Sequence, residues 1–134
     1  MALGQINRKI SVCGEAEEPT GNHVILRIPN PIRTAAQRRE CHVTGLQFGR
    51  VIRRVKNPMK VKVYREKGYW VHELEEFQIW AAEKDFVQSR VVFLDVLLHT
   101  YERFMAMEPG KATLGALEKK RQFQETFSFE EIVA

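Results

Sequence analysis

The chain has little of what builds covalent or metal-held scaffolds. Two cysteines in 134 residues, Cys13 and Cys41, are too few for the disulfide framework of a small secreted domain. Long apolar runs are absent too: none exceeds four residues, and Val91-Val92-Phe93-Leu94 stops at Asp95, so neither a signal sequence nor a membrane-spanning helix is expected. A cytoplasmic protein without membrane association is expected. No segment repeats, and no tract is of low complexity. Glycine is sparse where phosphate chemistry would need it. Gly45 and Gly49 lack the following Lys-Ser/Thr of a phosphate-cradling loop, so no nucleotide fingerprint is present and no cofactor is expected.

What remains suits one modest domain. A chain of this length buries roughly two thirds of its unfolded surface, enough for a core without metal or disulfide support. Its charge is uneven. Through Lys60 there are 11 Lys and Arg against 4 Asp and Glu, whereas from Val61 onward there are 10 against 13. The basic residues crowd into Arg33, Arg38, Arg39, Arg50, Arg53, Arg54, Lys56 and Lys60 without interleaved aromatics to stack on bases. Three readings follow: a solvated basic face, which the pattern favours, a weak nucleic-acid site, or a surface that meets the acidic half of the same chain or of a second copy.

Along the chain, near-alternation of Ile6, Ile10 and Val12 with polar residues suggests a short strand, followed by an acidic Pro- and Gly-containing loop over 14–22. Residues 24–28 read as a better strand, ended by Pro29 and Pro31, and 32–39 as a short helix. The stretch 41–55 fits neither period cleanly and reads as strand-like, with Asn57-Pro58 marking a joint. From Val61 the pattern sharpens. Residues 61–65 and 69–74 alternate around Glu66-Lys67-Gly68, a hairpin, and 77–81 read as a third strand. Asp85 can then cap a helix over 86–105, whose Val87, Val91, Leu94, Leu98, Tyr101 and Met105 step by three or four. Phe93, Leu97 and Phe104 widen that stripe beyond what one sheet contact needs. Pro109-Gly110 ends the helix, Thr113 caps a second one over 114–125, and 127–133 reads as a late strand.

The chemistry-bearing side chains are thinly spread. Cys13, His23, Cys41 and His42 include one close pair, which is not a zinc spacing, and no metal is expected. Cys41 and His42, as neighbours on a strand, point to opposite faces and cannot act as nucleophile and base. Glu73 and Glu75 would share a face, but a solvated acidic strand end explains them equally, and His99 reads as a helix boundary residue. His72 or Glu73 in a concave pocket would be the mark of a small enzyme, the least favoured reading. The aromatics of the hairpin are more informative. Trp70 and Val71 cannot both face the helix, so some of Tyr64, Tyr69, Trp70 and Trp80 must form a second surface, which we assign to partner binding.

The run VKVYREKGYWVHELEEFQIWAAEKDFVQSRVVFLDVLLHTYERF resembles the HicB-like antitoxins. Glu66-Lys67-Gly68-Tyr69-Trp70-Val71 is similar to their turn and second strand, Phe77 to Ala82 to their third strand, and 111–120 to the helical tail of a short subset. The similarity spans roughly 61–122. It implies an α+β domain, an antiparallel sheet with one long helix packed on it in a degraded RNase H-like core, here with extra strands from the basic N-terminal extension 1–60 and a C-terminal helix. It also implies a non-catalytic protein that dimerises and covers a toxin or another protein partner. The alternative is a nucleic-acid-binding regulator acting through Arg50, Arg53, Arg54, Lys56 and Lys60.

Overall fold

A single long strand organises the molecule. The computed structural model describes residues 21–133; the strand expected near Ile6 to Val12, Cys13 and most of the acidic loop lie outside the described residues. Within them the order is β1 (Asn22–Arg27), α1 (Ala35–Arg39), β2 (Cys41–Phe48), β3 (Val51–Glu66), β4 (Tyr69–Leu74), β5 (Ile79–Glu83), α2 (Phe86–Ala106), α3 (Leu114–Thr126) and β6 (Phe129–Ile132). All strand pairs are antiparallel, in the order β1-β2-β3-β4-β5, and β6 lies on β3. β3 has β2 along one edge, with β6 and then β4 along the other.

The stretch 41–55, expected to be strand-like throughout, is broken at its middle. Gly49, with φ at 64°, turns the chain, so 41–55 is a hairpin and its second strand runs on to Glu66. Asn57-Pro58 is likewise no joint between units. Val43 pairs with Met59 and Gly45 with Arg54, so residues 55–58 bulge opposite Thr44. A proline, which cannot donate to a ladder, is tolerated where the ladder is interrupted. At the bulge β2 and β3 approach closely: a Cβ on Gly45 would stand 2.9 Å from the Arg53 carbonyl oxygen.

The hairpin from Val61 has the expected form. Lys67 and Gly68 both have positive φ, 53° and 85°, which sets a two-residue turn of the type that matches strand twist, and Glu66 faces Tyr69. The third strand starts later than expected. Glu75–Phe77 forms a 3-10 turn that ends at Gln78 in the left-handed region, so Phe77 is swung out of the strand and into the core. Asp85 caps α2, its carboxylate accepting from the Gln88 amide at 2.8 Å, and Thr113 caps α3 by accepting from the Ala116 amide at 3.1 Å.

α2 packs on β5, β4 and β1, the two ends of the β1-to-β5 strand order and one neighbour, so the sheet curls around this helix. Its buried face is Phe93, Leu94, Leu97, Leu98 and Tyr101, continued at the first turn by Ser89 and Arg90. Val87, expected in the stripe, is 62% exposed. The widened flank is taken up by α3. Phe123 stacks on Phe77 with ring centroids 4.1 Å apart, meets Tyr101 edge-on and packs on Phe104, and buried Phe127 joins the same group. Each such buried ring contributes roughly 2–3 kcal/mol of transfer free energy. One core cluster runs from Val24 to Phe127. Neither α2 nor any other described helix is long and apolar enough to cross a membrane.

Candidate functional site

The register of β3, β4 and β5 decides which side chains share a face. Tyr64 lies opposite Val71 and Val71 opposite Ala82; Glu73 lies between Lys62 and Trp80; Glu66 lies opposite Tyr69. Directly opposed residues project the same way, so these rows form one surface, turned away from α2. The alternate rows, Val63-His72-Ala81 and Arg65-Trp70-Glu83, project towards the helix.

The outer rows enclose a groove of about 420 Å³ lined by Tyr64, Glu66, Lys67, Tyr69, Val71, Glu73, Trp80 and Ala82. Val71 forms its buried floor, outside the main core cluster, while Tyr64, Tyr69 and Trp80 stand exposed around it, Trp80 by 62%. The rim is polar and internally tied. Tyr64 donates its hydroxyl to Glu73 at 3.1 Å, Lys62 bridges to Glu75 at 2.8 Å, and the Lys84 ammonium sits 6.0 Å from the Tyr69 ring centre. Partial desolvation, then the hydrogen bond to Glu73, raises the pKa of the Tyr64 hydroxyl. Large aromatics thus stand over an apolar floor beside a charged rim.

Three of the four aromatics assigned to partner binding, Tyr64, Tyr69 and Trp80, are thus brought together. Trp70 is not among them. It lies on the helix side, edge-on to Phe86 at 5.2 Å, with the Arg39 and Arg65 guanidiniums 5.7 and 5.2 Å from its ring centre. Alternation leaves room on the outer face for only every second residue of β4, and Val71 takes the place that Trp70 vacates. Val71 and Ala82 were legible as lining positions once the hairpin register was known, but their small side chains gave no signal of their own.

The enzyme-like pair separates in the same way. Glu73 lines the groove, while His72 is fully buried on the other face. Ser89 donates to the Trp70 carbonyl at 2.9 Å, so its oxygen accepts from His72 Nδ1–H at 2.8 Å. That fixes the neutral tautomer with Nε2 unprotonated, and Nε2 has no hydrogen-bond partner among the described residues. Burial first, then the nearby Arg90 cation, lowers the His72 pKa to about 4. Ser89 and Arg90, which the apolar stripe did not signal, are what hold this corner. The Arg90 guanidinium donates to the Arg39 carbonyl at 3.0 Å and lies 4.8 Å from the Phe86 ring centre. Burial pushes the Cys41 thiol pKa up against a smaller opposing pull from Arg90, and His42 is half-buried with its pKa lowered by burial and then by Arg27. His99 is exposed, with Nδ1 at 2.8 Å from the Asp95 carbonyl of its own helix. Among the described residues no group of His, Cys, Asp and Glu could hold a metal ion.

The basic residues of the nucleic-acid alternative do not converge. Arg50 occupies the β2–β3 turn and Lys56 the bulge, both exposed. Arg53 and Arg54, adjacent on a strand, project to opposite faces, where Arg53 pairs with Glu130 at 3.2 Å and Arg54 with Glu131 at 2.7 Å. Lys60 reaches Glu40 at 3.8 Å. Arg53 and Arg54 therefore meet carboxylates from the acidic half of their own chain, whereas Lys60 meets Glu40 of the basic half. No family model, curated protein or solved structure matches this chain.

Proposed function

We propose that this protein is a non-catalytic protein-binding module, an antitoxin-like or regulatory subunit, which acts as a homodimer and docks its partner on the outer face of β3, β4 and β5. The observation that carries this reading is the groove itself: Tyr64, Tyr69 and Trp80 stand around Val71 on a face that the long helix leaves open. Exposed tryptophan and tyrosine are costly in water and are the side chains that dominate binding energy at interfaces. The resemblance of the same strands to HicB-like antitoxins agrees with a role in covering a toxin or other protein.

The test is paired affinity capture from native extract, with the unaltered chain and a Tyr69→Ser/Trp80→Ser variant as baits. A protein recovered in stoichiometric amount by the first and lost at least tenfold from the second supports the reading. Equal recovery by both baits, or none by either, contradicts it. Sedimentation equilibrium tests the homodimer directly, since a strictly monomeric mass across micromolar concentrations removes that part of the proposal.

A further inference from the structure

β6 is held in place by something other than packing. Its four residues are all exposed, Phe129 by 53% and Ile132 by 63%, and none joins the core. It nevertheless lies in register along β3, with Ile132 opposite Val51 and Phe129 opposite Arg54. Main chain and charge hold it. The Val133 amide donates to the Arg50 carbonyl at 2.8 Å, Glu130 sits directly opposite Arg53, and Glu131 accepts from Arg54 Nε across the diagonal. These ion pairs lie on opposite faces of the ribbon, so only an extended strand with two consecutive carboxylates satisfies both arginines. Ser128 alone connects β6 to buried Phe127, so the strand can peel away without disturbing the aromatic core.

We propose that the β3 edge from Val51 to Arg54 is a docking slot for an extended acidic segment of a partner protein, and that β6 is the internal stand-in which occupies it until displaced. The stand-in displays the chemistry of the occupant. Strand addition supplies main-chain hydrogen bonds along an edge, and Arg53 and Arg54 select for paired carboxylates. A tethered strand competes at an effective concentration of roughly millimolar, so a partner gains access when β6 is weakened or when it brings further contacts. The slot is separate from the aromatic groove and stands or falls independently of it.

The test uses the full chain, ¹⁵N-labelled, titrated with the synthetic peptide Ser-Phe-Glu-Glu-Ile-Val. In a Glu130→Lys/Glu131→Lys variant, whose own strand is repelled, the Val51 to Arg54 amide signals should shift at a peptide concentration at least tenfold lower than in the unaltered chain. A peptide with lysines in place of the glutamates should shift neither, and adding Arg53→Glu/Arg54→Glu should remove the response. Equal response in both chains, no response, or stronger binding of a single-stranded oligonucleotide than of the peptide overturns the proposal. If the variant does not fold, hydrogen exchange of the unaltered chain decides: the Val133 amide should exchange at least tenfold faster than the β2–β3 ladder, and faster still in 0.5 M salt. Protection equal to that ladder overturns it.

Discussion

Acidification should destabilise this fold through His72, and the effect can be sized. In the folded chain the imidazole is neutral, donating to Ser89 through Nδ1, and a proton added at Nε2 would place a second N–H in a buried site beside the Arg90 cation. Its pKa is lowered from 6.5 to about 4, whereas the unfolded chain keeps the higher value. Between those values the unfolded state binds more protons, so stability falls as pH drops below about 6.5 and this loss is complete near pH 4. Linkage gives a loss of about 2 kcal/mol by pH 5 and about 3 kcal/mol once both states are protonated. The control is His72→Leu, similar in volume and unable to titrate. Urea unfolding followed by circular dichroism, at pH 7.5 and pH 5 for both chains, isolates the histidine from the background carboxylates. The stability difference between the two chains should shift by about 2 kcal/mol in favour of His72→Leu on acidification. Parallel pH profiles would refute the neutral buried imidazole.

Three further outcomes follow from packing and capping. Phe123→Ala, which removes the ring between Phe77 and Tyr101, should cost about 3–5 kcal/mol in urea unfolding, because the surrounding rings cannot collapse into the space. Gly45→Ala should cost about 1–3 kcal/mol, since its Cβ would meet a backbone oxygen of β3 that cannot rotate away. Asp85→Ala should lose about 1 kcal/mol and lower thermal stability, by freeing the Gln88 amide at the start of α2.

How much of this was legible in the sequence depended on whether the deciding contact was local. The β3–β4 hairpin, the long helix and both helix caps are written in neighbouring residues: alternation about Gly68, a three-and-four spacing, and Asp85 and Thr113 each at a helix start. An outward face holding some of Tyr64, Tyr69, Trp70 and Trp80 could be named for the same reason, since alternation alone requires one. Trp70 could not be sorted from them without knowing the register, because a shift of one residue exchanges the faces. The β2–β3 hairpin and its bulge were hidden because the stretch holding Gly45, Gly49 and Pro58 carries no clean period, and it is the partner strand that defines where pairing lapses. Phe77 looked like a strand residue from its neighbours, yet its stacking on Phe123, far along the chain, holds it in the core. Glu130 and Glu131 gave no sign that they answer Arg53 and Arg54, which lie on a strand more than seventy residues earlier.

The proposed function rests on a partner protein covering the outward face of the hairpin. Hydroxyl-radical footprinting of the full chain, free and bound to the protein recovered by affinity capture, tests it most directly. Oxidation of Tyr64, Tyr69 and Trp80 should fall several-fold in the complex while Leu114, exposed on α3, reacts as before. Unchanged oxidation of those three aromatics, with protection mapping elsewhere on the chain, would contradict it.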